Sequence, residues 1–249
     1  MRIDVSLLPG QRFDAARSVC VVVDVLRASS SIVTLLERGA GAVVAAKDVT
    51  EARRLHESVP GYLLCGEEGG LPPEGFDYGN SPVEFSRLEL AGKSAVLATS
   101  NGTRVLAALA EDAPAVLVGC LLNRAAVAKA ALAIARERGL DVQVVCSAAY
   151  GGSVFVLEDA LGAGAIAEAA LSHDAALIAG DAARFAADAF AVAKSDIVGA
   201  VRSAYHAQEL VDAGLAEDVA YCAGLDTSTV APLLERGSGG MLVLKPYAG

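Results

Sequence analysis

The chain has 249 residues, 54% of them hydrophobic and 20% charged, with 20 Lys and Arg against 30 Asp and Glu and a formal charge of −10. That much apolar material excludes an intrinsically disordered chain, and the acidic balance excludes an extended basic surface, so no nucleic-acid partner is expected. The mean hydropathy of +0.46 comes mostly from Ala and Val, in runs that charges break well short of the roughly 18 residues of a spanning helix, so no membrane partner is expected either.

The opening MRIDVSLLPG carries an acid early and lacks the apolar stretch of a signal peptide. Five dispersed cysteines without a CxxC pair read as reduced thiols, and a cytoplasmic location is expected. Residues 19–23, VCVVV, form a continuous apolar run, as in a strand buried on both faces. Asp24 ends it, and Ser29, Ser30 and Ser31 open a helix, SIVTLLERG, that stops at Gly39. Residues 42–46 predict a further strand, and Thr50 is the expected N-cap of a helix running to about Ser58. Residues 65–82, CGEEGGLPPEGFDYGNSP, are dense in Gly, Pro, Asp and Asn; a loop of that length points to function.

Later segments repeat the scheme: SAVLAT then TRVLAALAE, AVLVGC then RAAVAKAALAIARERG, DVQVVC then LEDALGAGAIAEAAL. The alternation predicts an α/β protein, a three-layer α/β/α arrangement with a largely parallel or mixed sheet. Residues 1–249 are taken as a single domain of at most two closely packed lobes. Two Ala-rich helices at roughly 181–215 either cover the sheet or pack on a second copy, which leaves a homo-oligomer open. MLVLKP is the expected closing strand.

Polar residues interrupt this pattern where strands end: Asp24, then Thr99, Ser100 and Asn101, then Asn123 and Ser147. In open parallel sheets the ligand crevice lies outside the carboxyl ends of the strands, so these turns are expected to converge. In DVLRASSS, Asp24 suits a divalent cation or nucleophilic attack, Arg27 a bidentate grip on an anion, and Ser29 and Ser30 an anion cradle at a helix start. The alternative makes Asp24 and Ser29 helix caps and Arg27 a surface residue. SNGTR offers a second wall for the anion through Asn101, Gly102, Thr103 and Arg104. In the long loop Glu67, Glu68, Glu74, Asp77 and Asn80 carry oxygens suited to Mg²⁺. Glu158 and Asp159 are either further metal ligands or first-turn acids favoured by the helix dipole, and Asp226 is another strand-end candidate. Cys146, at a strand tip, is either a nucleophile or a small core residue. His56, His173 and His206 fall in predicted helices without metal spacing, so neither a zinc site nor a Ser-His-Asp triad is expected.

Together, VVVDVLRASSSIVTLLERGA, the 65–82 loop, TSNGTR, CS…GG…LEDALGAGAI and DVAYCAGLDTSTVAP resemble the 2-phosphosulfolactate phosphatase family over most of the chain. The resemblance implies an α/β, Mg²⁺-dependent acid phosphatase that converts 2-phospho-3-sulfolactate to 3-sulfolactate and phosphate, a step of coenzyme M biosynthesis. One departure stands out: the chain reads Gly66-Glu67-Glu68-Gly69-Gly70 where the family pattern has Arg at the third place. Alternatives are a phosphatase of another small phospho-acid and a non-catalytic anion-binding protein on the same scaffold. On the enzyme reading, Asp24 with an acid such as Glu67 or Asp159 holds Mg²⁺, Arg27 and Arg104 finish the pocket, and the small anionic phosphoester is the partner. A chain with net negative charge then needs the cation to admit that substrate.

Overall fold

The computed structural model describes residues 1–249. Ten strands form one sheet: β1 (Arg2–Ser6), β2 (Ser18–Val23), β3 (Val43–Ala46), β4 (Leu63–Gly66), β5 (Ala95–Ala98), β6 (Ala115–Gly119), β7 (Asp141–Cys146), β8 (Ile178–Ala179), β9 (Pro232–Arg236) and β10 (Leu242–Pro246). The helices are α1 (Ala28–Glu37), α2 (Val49–Ser58), α3 (Pro82–Ser86), α4 (Gly102–Asp112), α5 (Arg124–Arg138), α6 (Leu157–His173), α7 (Asp181–Ala193), α8 (Ile197–Arg202), α9 (Tyr205–Asp212) and α10 (Ala216–Cys222).

Strand alternation sorts side chains to opposite faces. From β2, Val19, Val21 and Val23 enter a core of 43 buried residues shared with α5, α6 and α7, while Cys20 and Val22 enter one of 20 residues shared with α1 and α4. The result is the expected three-layer α/β/α arrangement. Alanine and glycine let the helices approach closely: a Cβ on Gly164 of α6 would lie 2.0 Å from the Ala186 carbonyl oxygen of α7. No helix is long and apolar enough to cross a membrane.

The sheet is mixed, in the order β4-β5-β3-β10-β9-β6-β2-β7-β1-β8. Two parallel groups, β4-β5-β3 and β6-β2-β7-β1-β8, flank the β9-β10 hairpin, which is antiparallel to its neighbour on each side. By pairing alone, the two groups run in opposite senses. Five steps separate β2 from β5, however, and a twist of about 20–25° per step rotates one group against the other by roughly 100–125°. Their carboxyl ends therefore meet, and Gly102 after β5 abuts Asp24 after β2.

Three local expectations change. The N-cap of α2 is Asp48, which accepts from the Glu51 amide at 2.8 Å, rather than Thr50. The 181–215 stretch holds three helices, α7, α8 and α9, because Asp196 caps a new start by accepting from the Gly199 amide. MLVLKP does form β10, but as half of a hairpin inside the sheet. Its partner β9 is half exposed and carries no apolar run to announce it.

Candidate active site

The carboxyl ends of both parallel groups and the helix α9 enclose a cavity of about 400 Å³. The turn after β2 supplies Asp24, Leu26 and Arg27, and the long loop supplies Glu67, Gly69, Gly70 and Asn80. The turn after β5 adds Thr99, Ser100 and Asn101, the one after β7 adds Ala149, Tyr150 and Gly151, and α9 adds His206 and Glu209.

Asp24 is held by its own turn. Its amide donates to Ser29 Oγ at 2.9 Å, and its Oδ1 accepts from the Ala28 amide at 3.1 Å. Gly102 is required beside it, since a Cβ there would lie 2.7 Å from both Asp24 Oδ2 and Ala28 Cβ. Burial pushes the Asp24 carboxyl up; the Ala28 amide, His206 and Ser147 oppose this, and Glu67 adds to it. Arg27, buried at 4% exposure, reaches the same cavity from three residues on.

The expected anion cradle at the start of α1 is absent. The Ala28 and Ser29 amides are both taken by Asp24, Ser29 Oγ faces the Val22 carbonyl, and Ser30 Oγ donates to the Val25 carbonyl at 2.8 Å. Ser29 and Ser30 thus shape the turn and do not line the cavity. Nor does the second wall form as expected. Asn101 lines the cavity and accepts from the Gly151 amide at 3.0 Å. Thr103, by contrast, is buried in hydrogen bonds with Thr99, and Arg104 points outward to donate to the Lys47 carbonyl. Replacing Arg104 with Ala is accordingly expected to change kcat/KM by less than about twofold, as for a solvated surface charge; a tenfold loss in a steady-state assay would return it to the site.

The acids divide into saturated and open ones. Glu67 ties the long loop to the β5 turn, accepting from the Ser100 amide at 2.6 Å, the Ser100 hydroxyl and the Gly70 amide. Asp159 accepts from the Val25 amide at 2.8 Å, the Ser147 hydroxyl and the Ala148 amide. Burial, with the charges of Asp24 and Glu158, raises its carboxyl well above the usual range. It staples the β2 and β7 turns together and lies off the cavity wall. Glu158 is fully buried; Oε1 pairs with His206 Nδ1 at 2.7 Å, and Oε2 has no partner. Cys146 is not placed to act as a nucleophile. It is buried, it lies off the cavity, and burial with the nearby Asp159 and Glu158 charges drives its thiol well above the ordinary value.

His206 is a site residue that the sequence pattern does not point to. Burial alone would depress its imidazole, but the hydrogen bond and charge of Glu158, with Asp24 and Glu209, outweigh that and favour the imidazolium. The remaining strand-end candidates do other work. Asp226 caps α5 by accepting from the Ala125 amide and pairs with Arg124, and Asn123 bonds the Val118 and Val230 carbonyls. Asp77 accepts from the Leu64 amide at 2.8 Å, and Glu68 and Glu74 are exposed.

No set of three or more His, Cys, Asp and Glu side chains is arranged to hold a metal ion by itself. Magnesium does not need one, since it keeps several waters and takes only one or two carboxylates. Asp24 on the cavity wall fits that requirement; Glu158 keeps an unpartnered oxygen but is buried off the cavity wall, and Glu67 and Asp159 have donors on both oxygens.

Residues 6–237 match the family described as 2-phosphosulpholactate phosphatase. Similar proteins carry the name Probable 2-phosphosulfolactate phosphatase. One from Deinococcus radiodurans is 40% identical over 237 residues, 95% of either chain. One from Thermotoga petrophila is 34% identical over 98% of this chain and 99% of its own, and one from Gloeobacter violaceus is 35% identical over 98% of both.

Proposed function

Since the chain belongs to the 2-phosphosulpholactate phosphatase family, we propose that it hydrolyses a small acidic phosphate monoester, 2-phospho-3-sulfolactate, to 3-sulfolactate and phosphate. The observation that carries this reading is one cavity lined by a strand-tip carboxylate, a guanidinium and a carboxylate-paired imidazole: Asp24, Arg27 and His206. A phosphate-monoester dianion repels nucleophiles, so its charge must be gripped and its leaving oxygen protonated.

Arg27 binds the anion through the N–H groups that its protein partners leave free. His206 is oriented by Glu158 through Nδ1, which leaves Nε2 to give a proton to the departing C2 oxygen. As the P–O bond to C2 breaks, the oxygen of a water molecule takes its place on phosphorus, and a proton from that water returns through solvent to the imidazole. Asp24 would hold Mg²⁺ among bound waters, and the ion when bound would supply positive charge to the phosphoryl oxygens. Asn101 and the Gly102 turn keep the wall opposite Asp24 close, limiting the water admitted around the ester.

A phosphate-release assay with and without Mg²⁺ tests this, with 2-phospho-3-sulfolactate beside phosphoglycolate and phosphoglycerate. Release that requires Mg²⁺ and favours the sulfonated substrate is the expected result. Equal rates without the metal would remove Mg²⁺ from the reading, and silence on all three would remove the activity. Rapid-quench trapping of a covalent phosphoenzyme would overturn direct attack by water.

A further inference from the structure

Arg27 is not free to choose its partner in the cavity it enters. Asp24, Glu67 and Glu209 all line that space, and an unrestrained guanidinium on a flexible side chain would swing onto one of these carboxylates. It is instead bound from behind. Arg27 Nη1 donates to Oδ2 of Asp218 on α10 at 2.8 Å, with both side chains 3% exposed or less, and Nη2 donates to the Gly70 carbonyl at 3.0 Å. The other oxygen, Oδ1, is itself fixed: Ser81, the N-cap of α3, donates to it at 2.6 Å, and the Val83 amide donates at 3.3 Å. A guanidinium has five N–H groups; two are spent on these partners and three remain for a ligand.

We propose that Asp218 is the positioning residue that holds the Arg27 guanidinium out of reach of the cavity's own carboxylates and presents it to the substrate anion. The assignment rests on the reading of Arg27 as an anion-binding residue. Its chemistry is that of a buried ion pair used to fix an orientation rather than to add stability. The same carboxylate joins three segments far apart in sequence, α10, the α3 start and the β2 turn. Through Arg27 it also reaches the Gly70 carbonyl, so the long loop is braced against the residue that binds the ligand.

The test is a double-mutant cycle on KM for 2-phospho-3-sulfolactate and on the affinity for inorganic phosphate measured by calorimetry, using Asp218→Asn, Arg27→Gln and the double variant. Asp218→Asn keeps the shape and one acceptor oxygen, but replaces the other with an NH2 donor and removes the charge. It is expected to raise KM and weaken phosphate binding about tenfold, with kcat changed less than about threefold, the signature of lost ground-state binding. In the Arg27→Gln background the same change is expected to add less than about twofold, because its target is gone. Ser81→Ala, which removes the hydrogen bond to Asp218 and the cap on the Glu84 amide but no charge, is expected to shift KM about two- to fivefold in the same Arg27-dependent way, and it carries the test if Asp218→Asn does not fold.

Equal losses in both backgrounds, or a lower melting temperature with KM and phosphate affinity unchanged, would overturn the proposal. If Arg27→Gln itself leaves both quantities at the wild-type value, the anion-binding reading of Arg27 is what fails. If Arg27→Gln weakens binding and neither Asp218→Asn nor Ser81→Ala does, the positioning role alone fails.

Discussion

Asp24→Asn is expected to lower phosphate release by about a thousandfold or more while leaving the protein folded and at least as stable as the wild type. The two halves of that expectation share one cause. Asp24 is 6% exposed and sits near Glu67 and Asp159, with His206 as its main opposing charge, so folding places its carboxylate where ionisation is disfavoured. A buried charge in that position costs stability and is retained for its chemistry. The amide keeps an oxygen to accept from Ala28 and fits against Gly102, so the α1 start survives. Thermal unfolding and phosphate release on the same preparation decide the matter. A variant that unfolds several degrees early would make Asp24 a helix cap first and a reactive group second. One that unfolds normally but keeps a tenth of the activity would remove Asp24 from the chemistry.

The part of this site that was legible lies at strand tips. A continuous apolar run closed by a single acid places Asp24 at the end of β2, and three residues later Arg27 has only the same crevice to enter. The convergence rule brings Thr99, Ser100 and Asn101 to the same cavity, although the two parallel groups are paired in opposite senses and meet through twist, while Asn123 and Ser147 stay off it. Side chains within those turns are another matter. Ser29, Ser30 and Thr103 have hydroxyls that serve equally well for a ligand or for a neighbouring backbone group, and the backbone takes all three. Arg104 follows Asn101 by three residues, but the first turn of α4 rotates it to the outer surface. Spacing alone does not report that rotation.

His206 and Asp218 lay beyond this logic for a different reason. Both come from the helices after α7, which close over the carboxyl end of the sheet, and their partners Glu158 and Arg27 lie 48 and 191 residues away. A histidine in an amphipathic helix without metal spacing gives no local sign of what it faces. Glu158 could have raised the question, since a carboxylate in LEDALGAGAI sits next to an almost wholly apolar helix face and needs a compensating charge if buried. The charge balance sharpens in the same way. The net charge of −10 is compatible with an anionic substrate because the Arg27 guanidinium, with His206 when protonated, is concentrated in one cavity, each held by a buried carboxylate from behind.

His206→Asn should separate substrates by their leaving groups. Asparagine can place its amide nitrogen near the position of the ring Nδ1 and keep the hydrogen bond to Glu158 Oε1, so the buried carboxylate is not stranded. What the variant lacks is the proton at Nε2. The C2 oxygen of a phospho-hydroxy acid is a poor leaving group unless protonated as it departs, and its hydrolysis is expected to slow by about 10²–10⁴, the usual worth of a positioned general acid. An aryl phosphate whose phenolate leaves without assistance is expected to lose less than about tenfold under the same conditions, because the proton contributes little to its barrier. The measurement is kcat for both substrates on wild type and variant at one pH and one Mg²⁺ concentration. Equal losses on the two would mean that His206 supports the anion electrostatically and donates no proton, since a charge effect does not distinguish the leaving groups. An unequal loss in the stated direction assigns the proton to Nε2, and it makes the Glu158–His206 pair, rather than either residue alone, the acid of this site.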